Sequence, residues 1–485
     1  MSLLDEIREE RLKKIGQLAE HGLDAYPAQS KHDLTIGAFL ADFESLEAGA
    51  DPKTLAGRIM TLRRHGGLIF ADLFDGTARI QTMFQSGALG ESFELFVDTV
   101  DTGDFVNVTG VAHTSKRGEK SLLVSGWRML TKSLTPIPDE WYGIKDEDDR
   151  FRKRYLDILL NEDVADTVRL RSKFWNTIRQ YLLERDFIEV DTPVLENTTG
   201  GADARPFVTH HNALDIDVYL RISAGELWQK RLMIAGIPRT FEIGRIFRNE
   251  GMSNEHLQDY TQMECYMAYA DYRVGMTMAR EMYIRIAEEV FGTTKFTIRG
   301  FSIDLSTEWE TYDYVALLKE HFDINPLETT PEKVSRALEA ANIAYEGDIT
   351  LERGVDLLWK HVRRSLSGPG FLINVPVYME PLAKRNAEDP RTVERFQIIL
   401  AGSEMGKGFS ELNDPIDQRQ RFLHQQALRD AGDDEAQMAD LEYVEALEYG
   451  MPPTFGFGVS ERLFSFLLDK NIREAQIFPL MRPKE

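Results

Sequence analysis

Four side chains suited to holding a ligand fall close together in the middle of this chain. Phe247-Arg248-Asn249-Glu250 ends a strand-like run, a polar loop brings His256, and Tyr260 opens the return. A strand end that presents an arginine and a glutamate, faced by a histidine and an aromatic ring, is built to grip something. The plainer reading is an antiparallel hairpin with a solvated loop. Two further runs carry chemistry. Gly402-Ser403-Glu404 leads into Lys407, Phe409 and Glu411, and Gly456 and Gly458 lie two apart in a strand that runs into Glu461-Arg462. Glycines at that spacing let a flat ligand approach the backbone. No phosphate loop of the GxxxxGK[ST] type occurs, and no GxGxxG opens a βαβ unit, so nucleotide binding of those two kinds is unsupported. His210 and His211 are adjacent in a strand and point to opposite faces, which makes them a poor metal pair. The single cysteine, Cys265, excludes internal disulfides and cysteine-based zinc sites.

Periodicity identifies the elements that must position these groups. Arg239–Phe247 alternates Phe241 and Ile243 with charged or small residues, and the chain returns over Tyr260–Tyr269. Residues 1–50 read as two solvated helices broken at Tyr26-Pro27. Five short strands follow: Leu55–Arg64, Leu68–Asp75, Ala78–Phe84, Phe105–Ser115 and Ser121–Leu130, punctuated by Gly66-Gly67, Asp75-Gly76 and Arg117-Gly118. They match a five-stranded OB-type β-barrel. Alternation sends Ile69, Ala71, Leu73 and Ile80 inward and Phe70, Arg79 and Gln81 outward, a surface for stacking on single-stranded bases and reading their edges. The alternative is that the N-terminal helix covers Phe70. Beyond a linker at 136–160, residues 161–485 form a large mixed domain. It contains a helix over Asp166–Arg185, a strand over Phe187–Leu195, a helix near Arg221–Leu227 capped by Ser223 and a helix over Tyr272–Phe291. The acidic helical stretch near 311–366 reads as an insertion with no evident chemistry. The fold class is α+β, in the order helical extension (1–50), barrel (51–135), linker and large domain.

The 485 residues, 42% hydrophobic and 28% charged, suffice for two or three domains. No apolar run approaches the ~18 residues of a membrane span. The charged start MSLLDEIREERLKKIG lacks a signal peptide's apolar core, and one cysteine suits a reducing cytoplasm. A net charge of −23 argues against nonspecific nucleic-acid binding. Basic patches at Arg58–His65, Lys116-Arg117 and Arg150–Arg154 leave room for a shaped, local site.

Three stretches stand in a telling order: a strand with Pro193 near its end, the Phe247–Glu250 strand with His256 and Tyr260, and a glycine strand running into Glu461-Arg462. Together they resemble the three signature motifs of class II aminoacyl-tRNA synthetases. With an N-terminal barrel, the chain looks like the branch that charges lysine, aspartate or asparagine. Arg150–Asp157, Gly200–Phe207, His210–Leu214, Met267–Tyr272, Gly408–Asp414 and Phe478–Pro483 extend the resemblance nearly end to end, to the bacterial type of lysyl-tRNA synthetase.

That resemblance implies an antiparallel-sheet catalytic domain, an anticodon-binding barrel and a homodimer formed around Pro193. It also implies ATP-dependent activation of L-lysine and its transfer to tRNA(Lys). Arg248 would bridge the amino-acid carboxylate and the α-phosphate, and Arg462 would hold the γ-phosphate. Glu250 would accept from the adenine amino group, Tyr260 would stack on the ring, and His256 would approach the phosphates. Glu404 would carry Mg2+. Glu226 would take the α-amino group, while Glu264, Tyr266 and Glu411 surround the ε-ammonium and Gly201 and Phe409 shape the pocket. Phe70, Arg79 and Gln81 would meet the anticodon. The chain departs from the family pattern at Gln397, where a second magnesium-binding glutamate is usual, and at Lys407, where an asparagine lines the amino-acid pocket. It departs also at Leu257, Ser460 and Glu461 in the ATP-binding motifs. Two alternatives stand beside this reading. One is lysylation of a protein acceptor, by relatives that lack the barrel. The other is a non-catalytic nucleotide- or tRNA-binding paralogue, in which Gln397 and Lys407 have ended activation.

Overall fold

In a computed structural model, residues 3–138, 144–202, 204–251, 253, 255–345, 349–432 and 436–484 are described. Residues 139–143 of the expected linker and Asp203 of the Gly200–Phe207 run lie outside them. The chain divides into two compact units, Met1–Arg150 and Phe151–Glu485. Within the stretch expected as linker, 136–160, stand the helices Glu147–Arg152 and Arg154–Leu160. The helix Arg154–Leu160 belongs to the second unit, where Arg154 pairs with Asp157 at 2.6 Å and donates to the Glu474 carbonyl.

In the first unit, β1 (Lys53–His65), β2 (Leu68–Phe74), β3 (Arg79–Gln85), β4 (Phe105–Thr114) and β5 (Lys120–Thr131) close into a barrel in the order β1-β2-β3-β5-β4. The expected barrel is borne out, and Ile69, Ala71, Leu73 and Ile80 fill it. The outer face needs one correction. Phe70 and Arg79 remain accessible, but Gln81 is buried. Its amide donates to Glu119, just before β5, at 3.1 Å and accepts from the hydroxyl of Ser121 on β5 at 3.2 Å, so both ends of the group expected to read a base are taken. The helix Leu3–Glu20 is docked as well as solvated: buried Arg11 donates to the carbonyls of Ser133 and Thr102.

The second unit is built on an eight-stranded sheet. In chain order its strands are β6 (Ile188–Glu189), then, after a small three-stranded sheet of β7 (Leu195–Glu196), β8 (Val208–His211) and β9 (Ile216–Leu220), β10 (Arg239–Phe247) and β11 (Asp259–Ala268). A separate hairpin follows, β12 (Lys295–Ile298) and β13 (Phe301–Asp304). The main sheet then continues with β14 (Glu310–Asp313), β15 (Gly370–Ile373), β16 (Arg395–Leu400), β17 (Ser403–Ser410) and β18 (Thr454–Ser460). The spatial order is β14-β15-β16-β17-β18-β11-β10-β6, antiparallel except for the outermost pair at each edge. The helices Glu162–Leu183, Tyr272–Ile286 and Arg462–Leu467 cover one face.

Three local expectations change. Phe187–Leu195 is not one strand, because only Ile188–Glu189 pairs with β10 before the chain turns away through Pro193. Gly225, with φ +77, is the N-cap of the helix Glu226–Ile234, and Ser223 instead accepts from the Glu226 amide at 3.4 Å. The 311–366 insertion starts inside the main sheet with β14 and supplies a helix, Leu351–Val362, to the wall of the cavity described next.

Candidate active site

The face opposite those helices is defined by the two-residue period of the strands. On β11, Met263 and Cys265 pack into the core with Phe241, so Glu264 and Tyr266 emerge on the other side. On β18, Phe455, Phe457 and Val459 take the core, and Gly456 and Gly458 are left as a bare floor. On β16, Phe396 and Ile398 are core, and Arg395 and Gln397 face out. These outward residues line a cavity of about 1280 Å3. Every expected residue of this unit's site lines it except Glu250 and His256, which lie on the loop beyond the end of β10.

One end of the cavity is acidic. Glu226, Glu264 and Glu411 are all buried. The side chain of Lys230 is buried among them, 2.7 Å from Glu226 and 2.5 Å from Glu411. Burial works to lower the pKa of this lysine, but the two carboxylates outweigh it and hold the ammonium charged. Burial drives the Glu411 carboxyl well above its usual range despite Lys230, and its Oε1 has no hydrogen-bond partner. Glu264 is pushed up to about 7, by burial first and then by the charge of Glu226. Its oxygens accept from the Ala224 amide at 2.9 Å, Gln262 at 2.6 Å and the Tyr266 hydroxyl at 2.9 Å. Two glycines are required here. Gly201 has φ +90, and a Cβ there would lie 2.7 Å from the Ser223 hydroxyl. A Cβ on Gly456 would strike Glu411 and Tyr266.

The other end carries the cations. Nε and Nη2 of Arg248 both donate to the Ile222 carbonyl, at 3.3 and 3.2 Å, and the guanidinium stands 5.8 Å from the Tyr260 ring centre. Burial lowers the pKa of Arg462 to about 10. Glu404 accepts from the Trp359 indole at 2.6 Å, a contact supplied by the insertion. Lys407 donates to Glu380 at 3.3 Å, and its ammonium stands 5.8 Å from the Phe409 ring centre. Glu380 also pairs with Arg395 at 2.6 Å, and those two cations hold its carboxyl below the usual range against the opposing effect of burial. Leu257 is buried, which accounts for an apolar residue in a polar loop. Glu461 is a buried anchor, bonded to Arg171 and Gln476.

Residues 146–482 match the family described as tRNA synthetases class II (D, K and N), and residues 53–130 match the OB-fold nucleic acid binding domain. Curated relatives align along the whole chain. The lysine–tRNA ligase of Thermotoga maritima is 42% identical over 100% of this chain and 97% of its own. That of Roseiflexus castenholzii is 42% identical over 99% and 100%, and that of Fervidobacterium nodosum 42% over 99% and 95%. The chain belongs to the lysine–tRNA ligase family. As a class II synthetase it uses ATP.

For a member of this ligase family, the donor set fits a magnesium ion carried by the nucleotide and does not fit a dedicated protein cage. Glu404 is one available carboxylate, and Mg2+ bound with substrate phosphates needs only one or two. Gln397 adds none, because its oxygen accepts from Arg395 and its nitrogen donates to the Gly406 carbonyl at 3.1 Å. Among the described residues the one acidic cluster with ligand spacing is Asp146, Asp148 and Asp149, outside the cavity. Lys230, Trp359 and Glu380 are site residues that reading the sequence missed. Lys230 stands four residues after Glu226 on one helix, a spacing that brings the side chains together and could have been noticed. Nothing local marks Trp359 or Glu380.

Proposed function

We propose that this chain activates L-lysine with ATP to lysyl-adenylate and transfers the lysyl group to the 3'-terminal adenosine of tRNA(Lys). The observation that carries the choice of amino acid is the charge of the acidic end. Three buried carboxyl groups face one buried ammonium, Lys230, and once ionised they leave two negative charges for the α- and ε-ammonium groups of one lysine. Glu226 takes the α-amino group, and Glu264, Tyr266 and Glu411 enclose the ε-ammonium over Phe409. Leaving buried acids unpaired rejects apolar amino acids strongly, and aspartate would add a third anion to them.

The lysine carboxylate attacks the α-phosphorus, an oxygen–phosphorus bond forms, and pyrophosphate leaves. Arg248 orients both anions and offsets the charge that builds between them. Tyr260 and Glu250 hold the adenine, Arg462 and His256 the phosphates. Magnesium bound at Glu404 would supply additional charge neutralisation on the phosphates. A terminal hydroxyl of the tRNA then attacks the acyl carbon and AMP departs. The barrel supports tRNA as the acceptor, with Phe70 and Arg79 on its accessible face. Exposed apolar Ile188, Val194 and Leu195 around Pro193 support an isologous homodimer, and the compartment is the cytoplasm.

ATP–pyrophosphate exchange across a panel including lysine, β-lysine and aspartate tests the reaction. Exchange with lysine is expected, and none with any amino acid would sink the proposal. Phe70→Ala is expected to weaken tRNA charging and leave exchange intact; equal loss of both would make Phe70 a folding residue. Lysine affinity should depend on pH. The Glu264 carboxyl, with its pKa near 7, must ionise to meet an ammonium, so the constraint operates below pH 7 and fades above it. The Glu411 carboxyl, raised well above its usual range, must ionise as well, so affinity should fall at least about tenfold per unit as pH drops below 7, with at least one proton released on binding. Titration calorimetry at pH 6 and 8, in buffers of differing ionisation heat, reads both quantities.

A further inference from the structure

The Glu255 carboxylate lies between two arginines at the phosphate end of the site. Its Oε1 is 2.5 Å from Nη1 of Arg299, and its Oε2 accepts from Nη2 of Arg462. Arg299 occupies the tip of the β12–β13 hairpin. It has φ +51 and is followed by Gly300 at φ +85, the left-handed pair of a tight two-residue turn. Elements that bear the site hold it there. Its Nη1 also donates to the Ser403 hydroxyl at 3.1 Å, one residue before Glu404. Its guanidinium lies 5.1 Å from the ring centre of Phe466, on the helix that begins with Arg462.

Two guanidinium groups share one carboxylate, so a positive charge is left over. The side chain of Arg462 is mostly buried, and its Nε has no hydrogen-bond partner among the described residues. Carboxylate and phosphate oxygens suit the same guanidinium fork, and a phosphate offers one more oxygen and more charge. Glu255 sits on the β10–β11 loop, two residues before the buried Leu257.

We propose that Arg299 joins Arg462 in binding the terminal phosphate of ATP, and that Glu255 holds that seat as an internal anion until the triphosphate displaces it. This rests on the ATP-dependent reading above. Three elements converge on the seat: the loop with Glu255, the hairpin tip with Arg299 and the helix start with Arg462. A carboxylate that must be displaced weakens nucleotides bearing a terminal phosphate and has no effect on AMP.

Calorimetric binding of ATP and of AMP to the full chain tests this. Glu255→Gln is expected to tighten ATP about fivefold with AMP unchanged, and Arg299→Gln to weaken ATP about fivefold with AMP unchanged. Arg299→Lys, which keeps the charge, should recover most of the ATP affinity. ATP binding that Glu255→Gln leaves unchanged or weakens would overturn the proposal. So would an Arg299→Gln variant that weakens ATP and AMP alike or weakens neither. If the wild-type chain exchanges pyrophosphate with lysine and the variants still fail, only the Arg299 seat falls. If the wild type binds no ATP, both readings fall.

Discussion

Glu264→Gln is expected to lower kcat/KM for lysine in pyrophosphate exchange by ~10²–10³-fold, mostly through KM, with the fold intact. The substitution keeps the shape of the side chain and its hydrogen bonds to the Ala224 amide and the Tyr266 hydroxyl, which can reverse its donor role. It removes one of the two negative charges left after Lys230 is counted. An ammonium placed in a buried site with an uncharged partner loses about 3–5 kcal/mol, and that sets the size of the effect. Circular dichroism and the melting temperature should stay close to wild type, because Glu264 forms no salt bridge among the described residues. Unchanged kcat/KM for lysine would remove Glu264 from the ammonium pocket. Glu411 is a less clean site for this test, since Lys230 would lose its partner at 2.5 Å and folding would suffer as well.

Arg248→Lys is expected to lower kcat for activation by ~10²–10³-fold with a smaller change in lysine affinity. The charge is kept, so ground-state attraction for the carboxylate and phosphate survives. The planar fork is lost, and with it the simultaneous hold on both anions as the oxygen–phosphorus bond forms. The structure suits this role: the guanidinium is fixed by the Ile222 carbonyl and stands beside the Tyr260 ring. Single-turnover formation of the adenylate separates the two effects. A change confined to KM would assign Arg248 to binding alone.

Strand faces could be read from the sequence wherever one side of a strand is buried. Phe241, Met263, Cys265 and the β18 aromatics follow the two-residue period into the core, so Glu264, Tyr266 and the glycines had to face the other way. The barrel was readable for the same reason, through Ile69, Ala71 and Leu73. Gln81 escaped that logic. Alternation gives the direction in which a side chain leaves its strand but not what a neighbouring strand brings alongside, and Glu119 and Ser121 took both ends of its amide. Phe187–Leu195 failed because pairing with β10 stops after Glu189 and Pro193 cannot donate to a ladder, whatever the apolar content suggested.

The sequence by itself determined the family, the two-part α+β plan and the candidate residues from Gly201 to Arg462 that share the cavity. Those properties are carried by short motifs and by local periodicity, which act over a few neighbouring residues. The tertiary structure alone decided how the charges pair. It brought Lys230 to Glu411, Glu380 to Arg395 and Lys407, Trp359 to Glu404, and Glu255 to Arg299 and Arg462. Most of these partners are far apart along the chain, and Coulomb interactions in a buried site depend on distances through space. That is why Gln397 and Lys407, suggestive as departures in the sequence, acquired a physical meaning only when Arg395 and Glu380 were found beside them.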